Sequence, residues 1–151
     1  MKRRSVVSQA LVRAGGAHLR GRPYASGAAE FRWPVAAQSV RLARRVVQAL
    51  CRVVRLPAVY DDAALVVSEM VGNSVRAGYG ESLLLRLNWT PRRLRIEVHD
   101  DAPGQPRVVQ AEPEAETGRG MWIVNQLAVR WGVIRKQPGK IVWAEIALPG
   151  V

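Results

Sequence analysis

The stretch DDAALVVSEMVGNSVRAGYG, residues 61–80, decides the fold around which the rest of the sequence is arranged. Its apolar side chains recur at the spacing of one helix face, at Leu65, Val66, Val67, Met70, Val71 and Val75. Asp61 and Asp62 suit the N-cap and the positive end of the helix dipole. The Gly78-Tyr79-Gly80 turn would end the helix. The stretch therefore predicts a single helix between two well-marked ends.

Three polar residues follow one stripe of this helix. Glu69 and Asn73 are four residues apart, so they lie on the same face one turn from each other. Arg76 falls three residues further along the same stripe. A carboxylate, an amide and a guanidinium suit a proton acceptor, a metal ligand and a phosphate contact. A plain solvated helix face is the alternative, and these three residues alone leave both open.

A hairpin is predicted directly after the helix. Leucines at alternate positions lead to Trp89 in the first strand, and Leu94, Ile96 and Val98 alternate in the second. Residues 90–92 form the turn between them. Residues 100–117 then break the alternation with three prolines, one glycine and five acidic residues. Loops of this length in a compact domain are commonly functional, which predicts a lid.

The remaining elements complete the fold class. An extended piece at residues 30–34 and a helix from Ala37 to about Val54 precede the central helix. After the lid, a helix begins at Gly118-Arg119-Gly120, and residues 129–136 and 140–148 form a last hairpin. This order predicts an α+β protein, a two-layer α/β sandwich whose mixed, mostly antiparallel sheet has helices on one face.

The charge of +11 is unevenly distributed. Residues 1–29 hold six basic residues, no acidic residue and no persistent apolar face, which predicts a basic flexible N-terminal tail before a domain at 30–151. No nucleic-acid-binding signature accompanies the charge, so no specific nucleic acid is expected as a partner. The predicted helix at 37–54 carries arginines on its polar face. That face is either solvated or a docking surface for an acidic partner.

The sequence favours a cytoplasmic protein that makes no membrane contact. No apolar run approaches the ~20 residues that span a bilayer, and no secretory signal is recognisable. The lone cysteine, Cys51, cannot form an internal disulfide, which agrees with a reducing compartment. Cys51 falls in an apolar helical pattern and is predicted to be a small core residue.

Two further clusters carry chemistry that is ambiguous when each is taken alone. Asp100 ends an otherwise apolar strand, where an acid is either a turn residue or an acceptor for an exocyclic amine such as that of adenine. Glycines at a helix start expose backbone N–H groups to an anion, because the first turn has unpaired donors and a positive dipole end.

In combination, the motifs are recognisable. The order E-x-x-x-N at 69–73, D-x-x-P-x-x-P at 100–106 and G-R-G-x-x-I-V at 118–124 resembles the N, G1 and G2 boxes of the histidine-kinase-like ATPase (Bergerat, or GHKL) superfamily. The closer resemblance is to its anti-sigma-factor serine/threonine-protein kinase branch of actinobacterial type, over about residues 30–148. The resemblance implies ATP and Mg²⁺ as cofactors, and an anti-sigma-factor antagonist or a sigma factor, or both, as partners. It also raises a homodimer as an option.

The resemblance also assigns roles to residues. Glu69 would be the general base, Asn73 would coordinate magnesium, and Asp100 would bind the adenine amine. The other expected nucleotide-binding residues are Arg76, Gly104, Gly118, Arg119 and Gly120.

Two departures from the family pattern keep the activity open. Ala77 stands where the family usually has histidine or another polar residue, and Ala102 stands where the G1 box usually has serine. The first hypothesis is a kinase that phosphorylates an antagonist and sequesters a sigma factor. The alternative is a nucleotide-binding regulatory module without kinase activity that acts by partner binding. A catalytic piece of a two-component histidine kinase is disfavoured, because 151 residues leave little room for a phosphoacceptor hairpin.

Overall fold

The structure, a computed structural model, describes residues 9–13, 26–103 and 119–149, and only the backbone of the first segment. Six strands, three α-helices and one 3₁₀ turn lie in these residues. In chain order they are β1 (Gln9–Arg13), β2 (Gly27–Pro34), α1 (Ala37–Val53), a 3₁₀ turn (Pro57–Val59), α2 (Tyr60–Ala77), β3 (Ser82–Trp89), β4 (Arg93–Asp100), α3 (Arg119–Leu127), β5 (Arg130–Arg135) and β6 (Lys140–Ala147).

The strands form one sheet in the order β1-β2-β3-β4-β6-β5, and every described pair is antiparallel. The predicted hairpin is the β3–β4 pair, in which Trp89 faces Leu94 across the turn. The second predicted hairpin is the β5–β6 pair. The predicted fold class, an α+β two-layer sandwich, is confirmed.

The core lies between one face of the sheet and the helices. Alternate residues of β3 and β4 are fully buried on that face, among them Leu85, Leu87 and Ile96. Helix α2 supplies Met70 and Val71 to the same core, as its apolar periodicity predicts. Because side chains of a strand alternate between faces, Asp100 continues the inward series of β4 and lies on the helix side of the sheet.

The ends of α2 match the sequence prediction in part. Gly78 adopts the left-handed conformation, with φ of 68°, and its N–H bonds the Ser74 carbonyl. Asp61 lies in the first turn, where a carboxylate complements the helix dipole. The predicted side-chain cap is wrong, because the helix begins one residue earlier at Tyr60 and its N-cap residue makes no side-chain hydrogen bond.

The N-terminal segment contains a strand that the sequence did not suggest. Strand β1, Gln9–Arg13, lies inside the predicted tail of residues 1–29 and pairs with β2. Strand β2 itself begins at Gly27, three residues before the predicted domain start. The division into tail and domain stays a prediction, since most of residues 1–25 lie outside the described part of the chain.

Ion pairs cover the sheet face that the helices leave open. Glu145 accepts hydrogen bonds from Arg93, Arg95 and Arg130, and the guanidinium of Arg95 lies 4.3 Å from the ring of Trp143. The hydrogen bond from Arg130 is the largest cause of a lowered pKa for Glu145, with smaller contributions from the other two arginines and an opposing effect of burial. These three arginines of the face are therefore all paired with a carboxylate within the sheet.

Candidate functional site

Helix α2 carries the polar stripe that the sequence predicts. Glu69 and Asn73 are both half-buried, and Arg76 is exposed. The guanidinium of Arg76 donates a hydrogen bond to Oδ1 of Asn73, a contact that the three-residue spacing brings into reach. The amide oxygen assigned to a cation by the resemblance therefore already has one donor, and a second lone pair remains on it.

Asp100 is the most thoroughly bonded residue of the candidate site. Its carboxylate is buried and accepts the Ser74 hydroxyl at 2.5 Å on Oδ2. Oδ1 accepts the Ala102 N–H at 3.0 Å and the ammonium of Lys140 at 3.1 Å. A buried carboxylate is costly unless it is paired and hydrogen-bonded, and both conditions are met here. Asp100 is thus held by α2, by its own chain and by β6.

The start of α3 lies directly against Glu69. A Cβ added at Gly120 would lie 2.5 Å from Oε2 of Glu69, so only a glycine allows this approach. The next residue, Met121, is buried in the core and fixes the helix in place. The carboxylate assigned as general base therefore lies beside the first turn of a helix, where unpaired N–H groups favour an anion.

The β5–β6 turn closes on the end of β4. Gly139 has a left-handed φ of 85°, and a Cβ there would overlap the carbonyl oxygen of Asp100. The turn therefore needs glycine both for its conformation and for the close approach of two backbones.

The structure brings several predicted residues around α2. Glu69 contacts Gly120, and Asp100 bonds Ser74, the neighbour of Asn73. The predicted residues Gly104 and Gly118 and nearly all of the predicted lid lie outside the described residues. Arg119 is the first residue of α3, and its side chain is likewise outside them. Asp100 is the last residue of β4, which confirms the prediction that it ends a strand.

Sequence reasoning missed two residues of this cluster. Ser74 is buried and separated from Asp100 by 26 residues of chain, so its partner was not readable from local pattern. Lys140 did leave a signal. It begins a strand whose inward residues Val142, Ala144 and Ile146 are apolar, and a lysine in register with an apolar face needs a partner.

The oxygen donors suit magnesium held mainly by a nucleotide. The described residues contain no group of three or more His, Cys, Asp or Glu that could form a complete metal cage. Magnesium usually takes one or two protein oxygens and completes its shell with water and phosphate oxygens. The Asn73 amide oxygen, with the carboxylate of Glu69 one turn away, fits that requirement.

A cavity of about 540 Å³ lies elsewhere, at the opposite end of α2. It is lined by Cys51, Arg52, Arg55, Pro57, Tyr60 and Asp61. Cys51 is fully buried in the hydrophobic core, which confirms its predicted assignment as a core residue, and this burial raises the pKa of its thiol to about 11. This cavity contains none of the predicted nucleotide residues, and the geometry around Asp100 and Glu69 is the better guide to the chemistry.

Within the described residues, no helix is both long and apolar enough to cross a bilayer.

Comparison with known proteins supports the fold and the ligand class. No curated protein matches the chain. Residues 33–146 match the histidine kinase-like ATPase domain, a range that includes the whole cluster around α2. The chain therefore belongs to the family of histidine kinase-like ATPase domains, for which ATP is the ligand.

Proposed function

We propose that the protein is an ATP-dependent serine/threonine-protein kinase that phosphorylates an anti-sigma-factor antagonist and also sequesters a sigma factor. The observation that carries this proposal is that several of the predicted site residues lie on α2 or directly against it. Glu69 lies against Gly120, while Ser74, adjacent to Asn73, bonds Asp100. These are the positions that the resemblance assigns to the base, the phosphate contact, the metal ligand and the adenine anchor.

The base of the nucleotide would bind at Asp100. A buried carboxylate whose Oδ2 has a lone pair beyond the Ser74 bond can accept an exocyclic amine. An amine bonded to an ionised acceptor is held more strongly than one bonded to a neutral group.

The phosphates would lie near the start of α3. Backbone N–H groups of its first turn and the positive end of its dipole favour an anion there. Magnesium bound to Asn73 would neutralise part of the phosphate charge. Arg76 would leave the amide oxygen and contact a phosphate instead, which its exposed side chain allows.

Glu69 would then act on the protein substrate. A serine or threonine hydroxyl oxygen attacks the γ-phosphorus, the bond to the oxygen that bridges the β-phosphate breaks, and ADP leaves. The hydroxyl proton passes to the carboxylate of Glu69. Its half-buried position beside Gly120 supports this role, because the base and the phosphate-binding turn are next to each other.

Transfer of labelled phosphate from ATP to purified antagonists tests the kinase. We expect Glu69→Gln to lower the rate by about 10²–10⁴-fold, the usual contribution of a general base, while ATP binding is retained. Asp62→Asn in the first turn of the same helix is a charge-matched control distant from the cluster and should transfer phosphate normally. Transfer at the native rate by Glu69→Gln would refute the assigned base.

The second candidate is a nucleotide-binding module without transfer that acts by partner binding. The hydrogen bond from Arg76 to Oδ1 of Asn73 favours this second candidate, because the guanidinium would compete with Mg²⁺ for the same oxygen. Under this hypothesis, ATP binds and the antagonist stays unphosphorylated even with the native Glu69.

Partner binding is supported by a set of arginines on α1 and just after its end that we call the α1 basic face. It consists of the exposed Arg41, Arg44, Arg45, Arg52 and Arg55. Among the described residues, none of them forms an ion pair, whereas four arginines of the open sheet face, Arg86, Arg93, Arg95 and Arg130, are each paired with a glutamate. Uncompensated charge of one sign attracts a partner of the other sign.

The surroundings of the α1 basic face fit an acidic protein better than a nucleic acid. Val53, between two of its arginines, is 80% exposed, and the adjacent cavity includes the carboxylate of Asp61. An apolar side chain can insert beside Val53, while Asp61 would repel phosphate. The sigma factor or the antagonist would dock here.

Charge reversal tests this surface with purified sigma factor and antagonist. The double variant Arg44→Glu/Arg45→Glu should weaken complex formation by at least about tenfold, chiefly through slower association. Arg92→Glu/Lys136→Glu, in two turns away from α1, changes the net charge by the same amount and is the control for charge alone. Equal losses in both variants would show that net charge, and not this face, drives binding. The proposal includes a cytoplasmic location, where the proposed partners would be. It also includes a homodimer, which only the family resemblance supports.

A further inference from the structure

Lys140 is a buried cation next to Asp100, the residue proposed to bind the adenine base. It begins β6 directly opposite Asp100 in the sheet register and is only 8% exposed. Its Nζ donates to Oδ1 of Asp100 at 3.1 Å and to the carbonyl oxygen of Ala102 at 3.4 Å. Lysine is almost never buried unless paired, so the position requires an explanation.

Packing and stability alone do not supply that explanation. The inward residues that follow on β6 are Val142, Ala144 and Ile146, all apolar. Replacing a buried ion pair by apolar residues is often neutral or stabilising, because desolvation offsets the attraction. A lysine on this face has its clearest effect on Asp100 itself.

Among the residues that the structure describes, the hydrogen bonds leave one acceptor position of the Asp100 carboxylate free. A carboxylate offers about four lone-pair sites. On Oδ1, the Ala102 N–H and Lys140 use both, whereas on Oδ2 the Ser74 hydroxyl uses one. The remaining site on Oδ2 is fixed in direction, because three separate elements hold the carboxylate.

We propose that Lys140 is a positioning residue for purine recognition, which occupies Oδ1 of Asp100 so that Oδ2 is presented to the exocyclic amine of the base. This inference rests on the proposed nucleotide function. Lys140 acts through Asp100: it compensates the charge of the carboxylate and leaves Oδ2 as the acceptor. A base with a 6-amino group, which can donate to Oδ2, is therefore bound in preference to a base with a 6-oxo group, which cannot.

The test compares affinities for ATP and ITP, which differ at this group and carry the same phosphates. Isothermal titration of the full chain should give a preference for ATP of about tenfold to a hundredfold, the range of a charge-assisted hydrogen bond. In Lys140→Met the preference should fall close to one. Lys140→Arg, which keeps a cation, should restore part of it. Lys136→Met, an exposed lysine of the same hairpin, matches the charge change and should keep the native preference.

A double variant keeps the test independent of folding. Lys140→Met leaves the buried Asp100 carboxylate without its cation, whereas Asp100→Asn/Lys140→Met leaves no charge at the site. Because Lys140 acts through Asp100, this double variant should show the same ATP-to-ITP ratio as Asp100→Asn alone. A further change in the ratio would overturn the proposal.

The remaining outcomes separate this inference from the function on which it rests. If the native protein binds neither nucleotide, the proposed function fails and this inference fails with it. If the native protein prefers ATP and folded Lys140→Met keeps that preference, only the role of Lys140 is refuted. Equal weakening of ATP and ITP would mean that Lys140 attracts phosphates, which also refutes base positioning.

Discussion

Gly120 and Glu69 approach so closely that a single methyl group at residue 120 would lie 2.5 Å from Oε2 of the carboxylate. The contact joins the start of α3 to the middle of α2. The position of Glu69, the proposed general base, therefore depends on residue 120 having no side chain.

We therefore expect Gly120→Ala to separate stability from activity. The clashing atom is the end of a flexible side chain, so Glu69 can turn away at little cost to folding, and the free energy of unfolding should change by less than about 1 kcal/mol. Phosphate transfer should fall at least about tenfold because the base is displaced. Urea unfolding and a transfer assay on the same preparation measure both. Native transfer by a folded Gly120→Ala protein would contradict the proximity argument.

Asn73→Ala tests the metal ligand. Removing the amide oxygen should weaken ATP binding in the presence of Mg²⁺ by about tenfold or more, while binding measured in EDTA should change little. Asn88→Ala, on β3, is a matched control outside the α2 cluster. Equal affinities for Asn73→Ala and the native protein in magnesium would exclude the site.

Two glycines that both have positive φ should differ in their tolerance of alanine. Gly78 and Gly139 both have positive φ, which costs an L-residue about 1–2 kcal/mol. A Cβ at Gly78 meets nothing closer than 3.9 Å, whereas at Gly139 it overlaps the backbone of Asp100. We expect Gly139→Ala to destabilise the fold clearly more than Gly78→Ala in urea unfolding. It should also weaken ATP binding, which Gly78→Ala should not do.

The ion pairs on the open sheet face predict acid sensitivity. The hydrogen bond from Arg130 is the main cause that holds the pKa of Glu145 below its ordinary value of 4.5 in the folded protein. The unfolded chain therefore binds a proton first as the pH falls, and the stability contributed by Glu145 is present above pH 4.5 and lost below it. Thermal unfolding followed from pH 7 to 3 should show this loss, and Glu145→Gln should reduce it. A variant with the native pH profile would show that other carboxylates are responsible.

The sequence predicted the parts of the molecule whose evidence is local. The apolar periodicity of α2 and the alternation in β3 and β4 were sufficient to predict these elements, because each pattern depends on residues within one element. The spacing of Asn73 and Arg76 likewise placed both on one stripe, where they are bonded.

Contacts between distant elements were harder to predict. Strand β1 exists through its pairing with β2 and shows no alternation strong enough to be recognised alone. Ser74 and Lys140 meet Asp100 across 26 and 40 residues. The sequence identified the carboxylate but not its donors, because register between strands is set by the whole sheet.

Helix α2 holds Glu69, Asn73 and Ser74 within less than two turns. The proposed adenine recognition and the proposed metal and phosphate contacts consequently share one rigid helix, which rises about 1.5 Å per residue. Any shift or rotation of this helix moves both functions at once, so a mutation in its core-facing side would alter nucleotide preference and transfer rate together. Independent tuning of either has to come from the strands and loops around it.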